Sequence, residues 1–379
     1  MRLRATIKNS LVNPQIDEVD SYALARSSRR LPSKFRSTFL PIAVFSLIPL
    51  AMTPATSADS ALPPVAHQFL GNSYTPKVFD PLATNKFQAT LVESIQISQA
   101  GTTTSIDLTP KADSENTVIA TGKNGLLVHV FREANGRFLL SSYLHDGTKF
   151  TKAGIKTTYI EPGVLDNKNQ YVYGRMVRDG IDSTRIGRQS VKTGALTYHF
   201  DTKSHGGGFV CGITSDSEFK EAYFTQLLPS ETILYSFNLS NGSYRKVQTL
   251  GPGFCLDAVI NSNKFAGTFI NAKAKKWEPK KLAFVDLAKS KKVITLDLPF
   301  DLKWIGEHQM LVAGNYLYLN DAFPDTSDSQ QILNMDPTHF YIDLSKDFGD
   351  PSAIMKVPAV DALFGRFESL NYLPLKLRS

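Results

Sequence analysis

The chain has 379 residues, of which 42% are apolar and 11% aromatic, so it can bury a sizeable core and bulk disorder is excluded. The formal charge is +7, but residues 1–58 hold eight Lys/Arg and three Asp/Glu, which leaves the remainder at only +2. A nucleic-acid partner therefore loses its main support, because such proteins carry a basic surface on the folded domain.

Residues 1–58 read as a signal peptide. A basic stretch ending at Arg36 is followed by an apolar run at 39–52, and small residues at Thr56 and Ala58 suit cleavage after Ala58. A membrane-spanning helix needs about 20 apolar residues, more than this run provides. We therefore expect a secreted, periplasmic or cell-envelope protein that is not integral to a membrane after processing. An uncleaved membrane anchor is the alternative.

Residues 59–90 are rich in proline and small residues, which indicates a linker that holds an extra strand at most. Beyond the linker, segments with two alternating apolar strands around a polar turn recur at intervals of 46 to 49 residues, with a last interval of about 58. These predicted hairpins span 91–109, 137–155, 185–201, 234–250, 282–299 and 340–358. Asp146–Gly147 and Asn241–Gly242 are dipeptides typical of tight hairpin turns.

Each gap between hairpins holds two shorter predicted strands. The first strands are 117–122, 163–168, 209–214, 254–259, 302–307 and 362–367, and the second strands are 126–131, 171–176, 222–227, 265–270, 316–320 and 370–377. Four strands per unit of roughly 47 residues is the pattern of a propeller blade. The sequence thus predicts an all-β fold over 91–379, a six-bladed β-propeller of four-stranded blades. The C-terminal pair would join the hairpin at 91–109 and close the ring; a β-sandwich or barrel is the alternative.

Over about 91–377 this pattern resembles the six-bladed propellers of the TolB-like kind. The family's Asp-rich blade signatures are not found repeated, and neither are WD or kelch motifs. The resemblance therefore implies the architecture alone, and it assigns no role to any residue.

Two aspartates are candidate metal ligands. Asp166 and Asp257 are both the fourth residue of a predicted first strand, and first strands line a propeller's channel. Paired carboxylates there could hold a divalent cation such as calcium. The alternative is that each carboxylate bonds backbone groups or water and that no cofactor is bound.

Other motifs have structural explanations. The segment His205–Gly208 matches the oxyanion loop of lipases, but no G-x-S-x-G nucleophile motif follows it, so a close backbone turn near the channel is expected. The two cysteines, Cys211 and Cys255, lie on neighbouring predicted first strands. Strand alternation points them to different faces, which favours two buried thiols over a disulfide.

The predicted binding surface is the face formed by the loops that join second to third strands and each blade to the next. It carries a mixed set of charged and aromatic residues: Arg178, Asp179, Asp182, His205, Lys275, Lys276 and Trp277. Such a set favours a non-catalytic exported protein that binds a protein or an anionic envelope component. Lysines around Trp277 could equally protect a blade edge from pairing with another chain. The second hypothesis is a metal-dependent propeller hydrolase or lactonase with its site in the channel.

Overall fold

The computed structural model describes residues 67–74, 90–98, 101–134, 137–157, 160, 163–176, 184–271, 281–297, 310–321, 338–348, 350, 354–356 and 367–378. These residues form 25 strands, joined by turns and two short 3-10 turns, and all belong to one compact unit. The all-β prediction is confirmed.

The strands form five sheets, one of which has eight strands. We count that sheet as two units and number six units along the chain. The first unit contains β25 (Phe367–Tyr372), β1 (His67–Tyr74), β2 (Thr90–Ser98) and β3 (Gly101–Asp107), in that order across the sheet. The second contains β4 (Glu115–Gly122), β5 (Gly125–Ala134), β6 (Arg137–His145) and β7 (Phe150–Lys152), and the third contains β8 (Gly163–Leu165), β9 (Tyr171–Arg175), β10 (Arg185–Ser190) and β11 (Leu196–Asp201).

The fourth unit contains β12 (Phe209–Val210), β13 (Thr214–Ser215), β14 (Ala222–Leu227), β15 (Thr232–Phe237) and β16 (Tyr244–Leu250), with β12 and β13 both paired to β14. The fifth contains β17 (Phe254–Asn261), β18 (Lys264–Phe269), β19 (Lys281–Asp286) and β20 (Ser290–Leu296), and the sixth contains β21 (Met310–Ala313), β22 (Tyr316–Asp321), β23 (Thr338–Asp343) and β24 (Ile354–Lys356). Within units the pairing is antiparallel; the second and third units share one eight-stranded sheet through a parallel pairing of β4 with β8.

The hairpins form where sequence alternation and turn chemistry agree. All six predicted hairpins are present as the last two strands of each unit. Gly194 and Gly242 hold φ values of 73° and 75° in their turns, a left-handed conformation that glycine adopts without a Cβ clash. Local sequence therefore determines the outer half of each unit.

Apolar faces of neighbouring units pack against each other in succession. Separate buried clusters join the first unit to the second, the second to the third, the fourth to the fifth and the fifth to the sixth. The largest cluster joins the third unit to the fourth and the sixth to the first. Large side chains such as Phe254 and Phe284 are completely or almost completely buried in these layers, and each stabilises the fold by roughly 1.5–3 kcal/mol.

The innermost strands also contact one another in order. β25 contacts β4, β4 contacts β8, β8 contacts β13, β13 contacts β17, β17 contacts β21, and β21 contacts β25. In the first unit, β1 and β25, the N-terminal and C-terminal strands of the described chain, pair in one sheet.

Three details differ from the sequence prediction. In the described residues β1 pairs with β25, so the predicted linker contributes a strand at 67–74, and most of the predicted C-terminal strand at 362–367 lies outside those residues. The predicted second strand at 370–377 ends instead at Tyr372, because Pro374 precedes a 3-10 turn at Leu375–Leu377. The inner strand of the sixth unit is β21, and the predicted strand at 302–307 lies outside the described residues.

Candidate functional site

A small cavity of about 40 Å³ lies where the innermost strands meet. Every unit contributes to its lining, which consists of Thr121, Gly163, Val164, Ile213, Thr214, Ser215, Asp257, Met310, Leu311, Asn371 and Tyr372. Hydroxyl and amide groups therefore surround one carboxylate. A space of this size with oxygen donors suits a hard cation or ordered water molecules.

Asp257 is the carboxylate of this cavity. It lies in β17 at a bulge, where the register with β18 shifts between Leu256 and Ala258. The side chain is 3% exposed, and its Oδ2 accepts a hydrogen bond of 3.2 Å from the Thr268 hydroxyl. Bulges reorient a side chain relative to its strand. The backbone irregularity thus accompanies the placement of this acid at the cavity.

Asp166 has a different environment. It follows β8 in the turn to β9, where its Oδ1 accepts hydrogen bonds from the N–H groups of Gln170 at 2.5 Å and Tyr171 at 3.0 Å. Burial raises the pKa of the Asp166 carboxyl above its ordinary value, and those two N–H groups oppose the shift. Asp166 is not among the residues that line the cavity. Its described contacts are those of a turn-forming residue.

The same turn occurs in the fourth unit around Asp216. The Asp216 Oδ1 accepts from the N–H of Lys220 at 2.8 Å, as Asp166 does from the equivalent Gln170. Residues Asn169 and Phe219 hold matching positive φ values of 55° and 51°. Asp216, not Asp257, is therefore the structural equivalent of Asp166. This recurrence is not apparent from the sequence, because Phe219 gives no turn signal.

The cavity lining contains several oxygen donors that could bind a cation. Asp257 and the neighbouring hydroxyls of Thr121, Thr214 and Ser215 are oxygen donors of the type that calcium prefers. No cluster of three or more His, Cys, Asp or Glu side chains suited to a metal occurs within the described ranges. A cation would therefore depend on Asp257 with neutral oxygens, and the joint site with Asp166 remains a prediction.

His205 lies in the loop between β11 and β12. Its ring stacks on the buried Phe200 at a centroid distance of 4.3 Å, and its carbonyl accepts a 3.0 Å hydrogen bond from the Gln226 side chain. Gly206, Gly207 and Gly208 follow with φ values of 88°, 88° and 79°. A Cβ at Gly208 would lie 2.0 Å from the carbonyl oxygen of the neighbouring β14, so the loop needs glycine there. This matches the close turn expected from the sequence.

An exposed aromatic and cationic pair lies beside this loop. Tyr198 is 55% exposed, and the Arg185 guanidinium sits 4.5 Å from the centre of its ring. Arg185 also forms a 2.8 Å ion pair with Asp201, the residue that caps the turn leading to His205. The Arg185 side chain is thus held by both the Tyr198 ring and the Asp201 carboxylate, so a partner that binds here would lose less side-chain entropy on association.

Comparisons with known proteins give structural similarities only. No family model and no curated protein matches the chain. The similar solved structures include a chain of a nidogen/laminin complex, at 12% identity and a TM-score of 0.41, covering 81% of this chain and 97% of that chain. TolB from Acinetobacter baumannii is 13% identical with a TM-score of 0.39, covering 67% of this chain and 60% of that chain.

The β-propeller domain of the Trilobed protease from Pyrococcus furiosus is a third, at 7% identity and a TM-score of 0.34, covering 66% of this chain and 73% of that chain. The chain resembles propellers of the TolB-like kind. At these low scores the similarities assign no activity or partner, and the description of the fold rests on strand pairing.

Most of the predicted binding face lies outside the described residues. This holds for Arg178, Asp179, Asp182, Lys275, Lys276 and Trp277. Of the predicted binding set, the structure therefore places only His205. In the described part of the chain, no helix is long and apolar enough to cross a membrane.

The two cysteines form a disulfide, which corrects the prediction of buried thiols. Cys211 and Cys255 are bonded, with Cα atoms 5.7 Å apart, and the bond joins the fourth unit to the fifth. Cys211 lies beyond β12, outside a regular strand, so strand alternation does not fix the direction of its side chain. Both residues are 1% exposed and pack with Leu227.

Proposed function

We propose that the six units are blades of one closed ring and that the protein is an exported, non-catalytic binding propeller. The circular order of inner-strand contacts and the succession of buried layers between neighbouring units support the ring. A fold of this kind presents one set of connecting loops on a common face, where partners commonly bind.

Export is supported by the disulfide. Disulfides persist in oxidising compartments and are rare in reducing cytosol. The Cys211–Cys255 bond is consistent with the predicted signal peptide at 1–58, and we place the mature protein outside the cell or in its envelope.

Binding through the loop face is carried by one observation, the exposed Tyr198 under Arg185 next to the His205 loop. Tyrosine and arginine are enriched at protein interfaces because they supply large contact areas and several hydrogen bonds. A protein or an anionic envelope component that meets this face would contact the ring of Tyr198 and the turn at 202–208.

Site-specific photo-crosslinking in the producing cell tests the binding face. A benzophenone amino acid at the exposed Lys203 would report on the loop, and the same group at the exposed Lys192 is the matched control at the opposite end of the β10–β11 hairpin. We expect a discrete adduct from position 203 and none from position 192. Adducts of equal yield at both positions, or at neither, would contradict a loop-face partner.

The second candidate is a metal-dependent hydrolase or lactonase, and it is favoured by the position of Asp257 in the cavity. A divalent cation there would polarise a substrate carbonyl or lower the pKa of a water molecule. The Asp257 carboxylate would supply the negative charge, and the surrounding hydroxyls would orient the bound group.

Calcium titration followed by thermal melting separates the two candidates. If a cation binds at Asp257, wild type should gain about 2.7 kcal/mol at a hundredfold excess over the dissociation constant, and Asp257→Asn should lose that gain. Asp166→Asn and Asp216→Asn are matched turn variants, and each should cost roughly 1–3 kcal/mol whether or not calcium is present. Under the binding proposal, calcium leaves all four melting curves unchanged.

A further inference from the structure

Basic residues concentrate on two neighbouring outer strands. β16 carries Arg245 and Lys246, and β20 carries Lys291 and Lys292, while neither strand contains an acidic residue. The two strands are the outermost of the fourth and fifth units and contact each other. Neighbouring residues of a strand point to opposite faces of the sheet, so the members of each pair lie on either side of the outer edge of their strand. We call these four side chains along the two outer edges the basic ridge.

The ridge is open to solvent. All four of its residues are exposed. Beside it, Lys289 is 71% exposed and lies 3.8 Å from Asp347, which is 93% exposed, and an ion pair this open to solvent contributes little. That pair therefore does little to reduce the positive charge next to the ridge.

Protection of strand edges does not explain this distribution. Lysine on an edge discourages pairing with another chain, so this role predicts basic residues on every outer strand. However, β3 and β11 are also outermost strands and contain no Lys or Arg, and β7 and β24 contain one each, Lys152 and Lys356. Edge protection alone therefore does not explain why β3 and β11 lack basic residues while β16 and β20, which contact each other, carry four between them.

We propose that the basic ridge binds a linear acidic polymer whose sulfate, carboxylate or phosphate groups meet Arg245, Lys246, Lys291 and Lys292. Neighbouring charges of one sign attract such a polymer more strongly than dispersed charges do. This inference rests on the proposed binding function, to which it adds a second surface and a partner class.

A polymer fits the ridge better than a membrane does. Surfaces that bind bilayers add large apolar side chains to their basic residues. Among the described side chains of β16 and β20, Ile294, at 36% exposure, is the only large apolar one that is open to solvent. An acidic polysaccharide needs charge and hydrogen-bond donors alone, and both are present.

Two triple variants with the same change in charge test the proposal. The ridge variant is Lys246→Gln, Lys291→Gln, Lys292→Gln, and the control is Lys149→Gln, Lys152→Gln, Lys156→Gln in and near the second unit, where all three lysines are exposed. Heparin is the probe polymer, neutral dextran the uncharged reference, and thermal melting verifies folding. We expect the ridge variant to bind heparin roughly tenfold more weakly and the control to bind like wild type.

Equal weakening of both variants would show that net charge alone attracts heparin and would overturn the proposal. Vesicles of phosphatidylglycerol, compared with phosphatidylcholine, form a second arm, and ridge-dependent binding to vesicles without heparin binding would indicate a membrane surface instead. Crosslinking from Lys203 in the ridge variant separates this proposal from the loop-face one. If the ridge variant loses heparin binding but keeps the adduct, the ridge proposal is supported and the loop-face proposal is unaffected. If it loses the adduct but keeps heparin binding, only the loop-face proposal is contradicted.

Discussion

Removing the disulfide between Cys211 and Cys255 should destabilise the protein by an amount that depends on the length of the loop that the bond closes. The bond closes a loop with a sequence separation of 44 residues. Restricting the unfolded chain over that length corresponds to about 4 kcal/mol in the chain-entropy model. For a mature protein of residues 59–379, this is a decrease of roughly 6 °C in melting temperature.

A double-mutant cycle gives the assay. Cys211→Ala, Cys255→Ala and the double variant are unfolded in denaturant without reductant. Either single change removes the same bond, so we expect each single variant to lose nearly as much as the double. Alkylation of denatured, unreduced wild type should add no label to either cysteine. Single costs that sum to the double cost, together with two labelled thiols in wild type, would refute the bond and with it the structural support for export.

Three further predictions concern the ends of the chain and acid stability. N-terminal sequencing of the exported protein should begin at or near Asp59, and recovery of intact residues 35–52 in membranes would show an anchor instead. Deleting 367–379 should abolish cooperative unfolding because it removes β25, and deleting 1–75 should do so because it removes β1, whereas deleting 1–65 should leave the midpoint unchanged. Burial lowers the pKa of His129 to about 3, so below pH 6.5 the unfolded state binds more protons than the folded state. The free energy of unfolding should therefore fall by up to about 5 kcal/mol between pH 6.5 and 3. His129→Gln should reduce this dependence of the unfolding free energy on pH.

The hairpins could be predicted from sequence because each has one buried face and a turn with its own chemistry, as at Asn241–Gly242. Inner strands were harder to predict. Phe69 and Leu70 of β1 are both buried, so the alternation that identifies a strand is absent there, and the segment was assigned to a linker. Turns without glycine, such as the one at Phe219, gave no signal, which is why Asp216 was missed.

The surroundings of the two predicted metal ligands differ. Asp257 lines the cavity, whereas Asp166 forms a turn, because a position counted along a strand does not show where the strand ends. The metal-binding role of both aspartates stays a prediction. The disulfide required knowledge of how two neighbouring units approach each other. Such distances depend on packing between sheets, which single-strand patterns do not contain.

The pairing of β1 with β25 also has a consequence for biosynthesis. Phe69 and Tyr372 are partners in this sheet, so nearly the whole chain must leave the ribosome before they can meet. Contacts this distant in sequence form slowly, because the entropy of closing the loop is lost before the contact stabilises anything. The first unit would thus remain incomplete during synthesis, and a secretion channel that accepts only unfolded chains would have that interval in which to engage the protein.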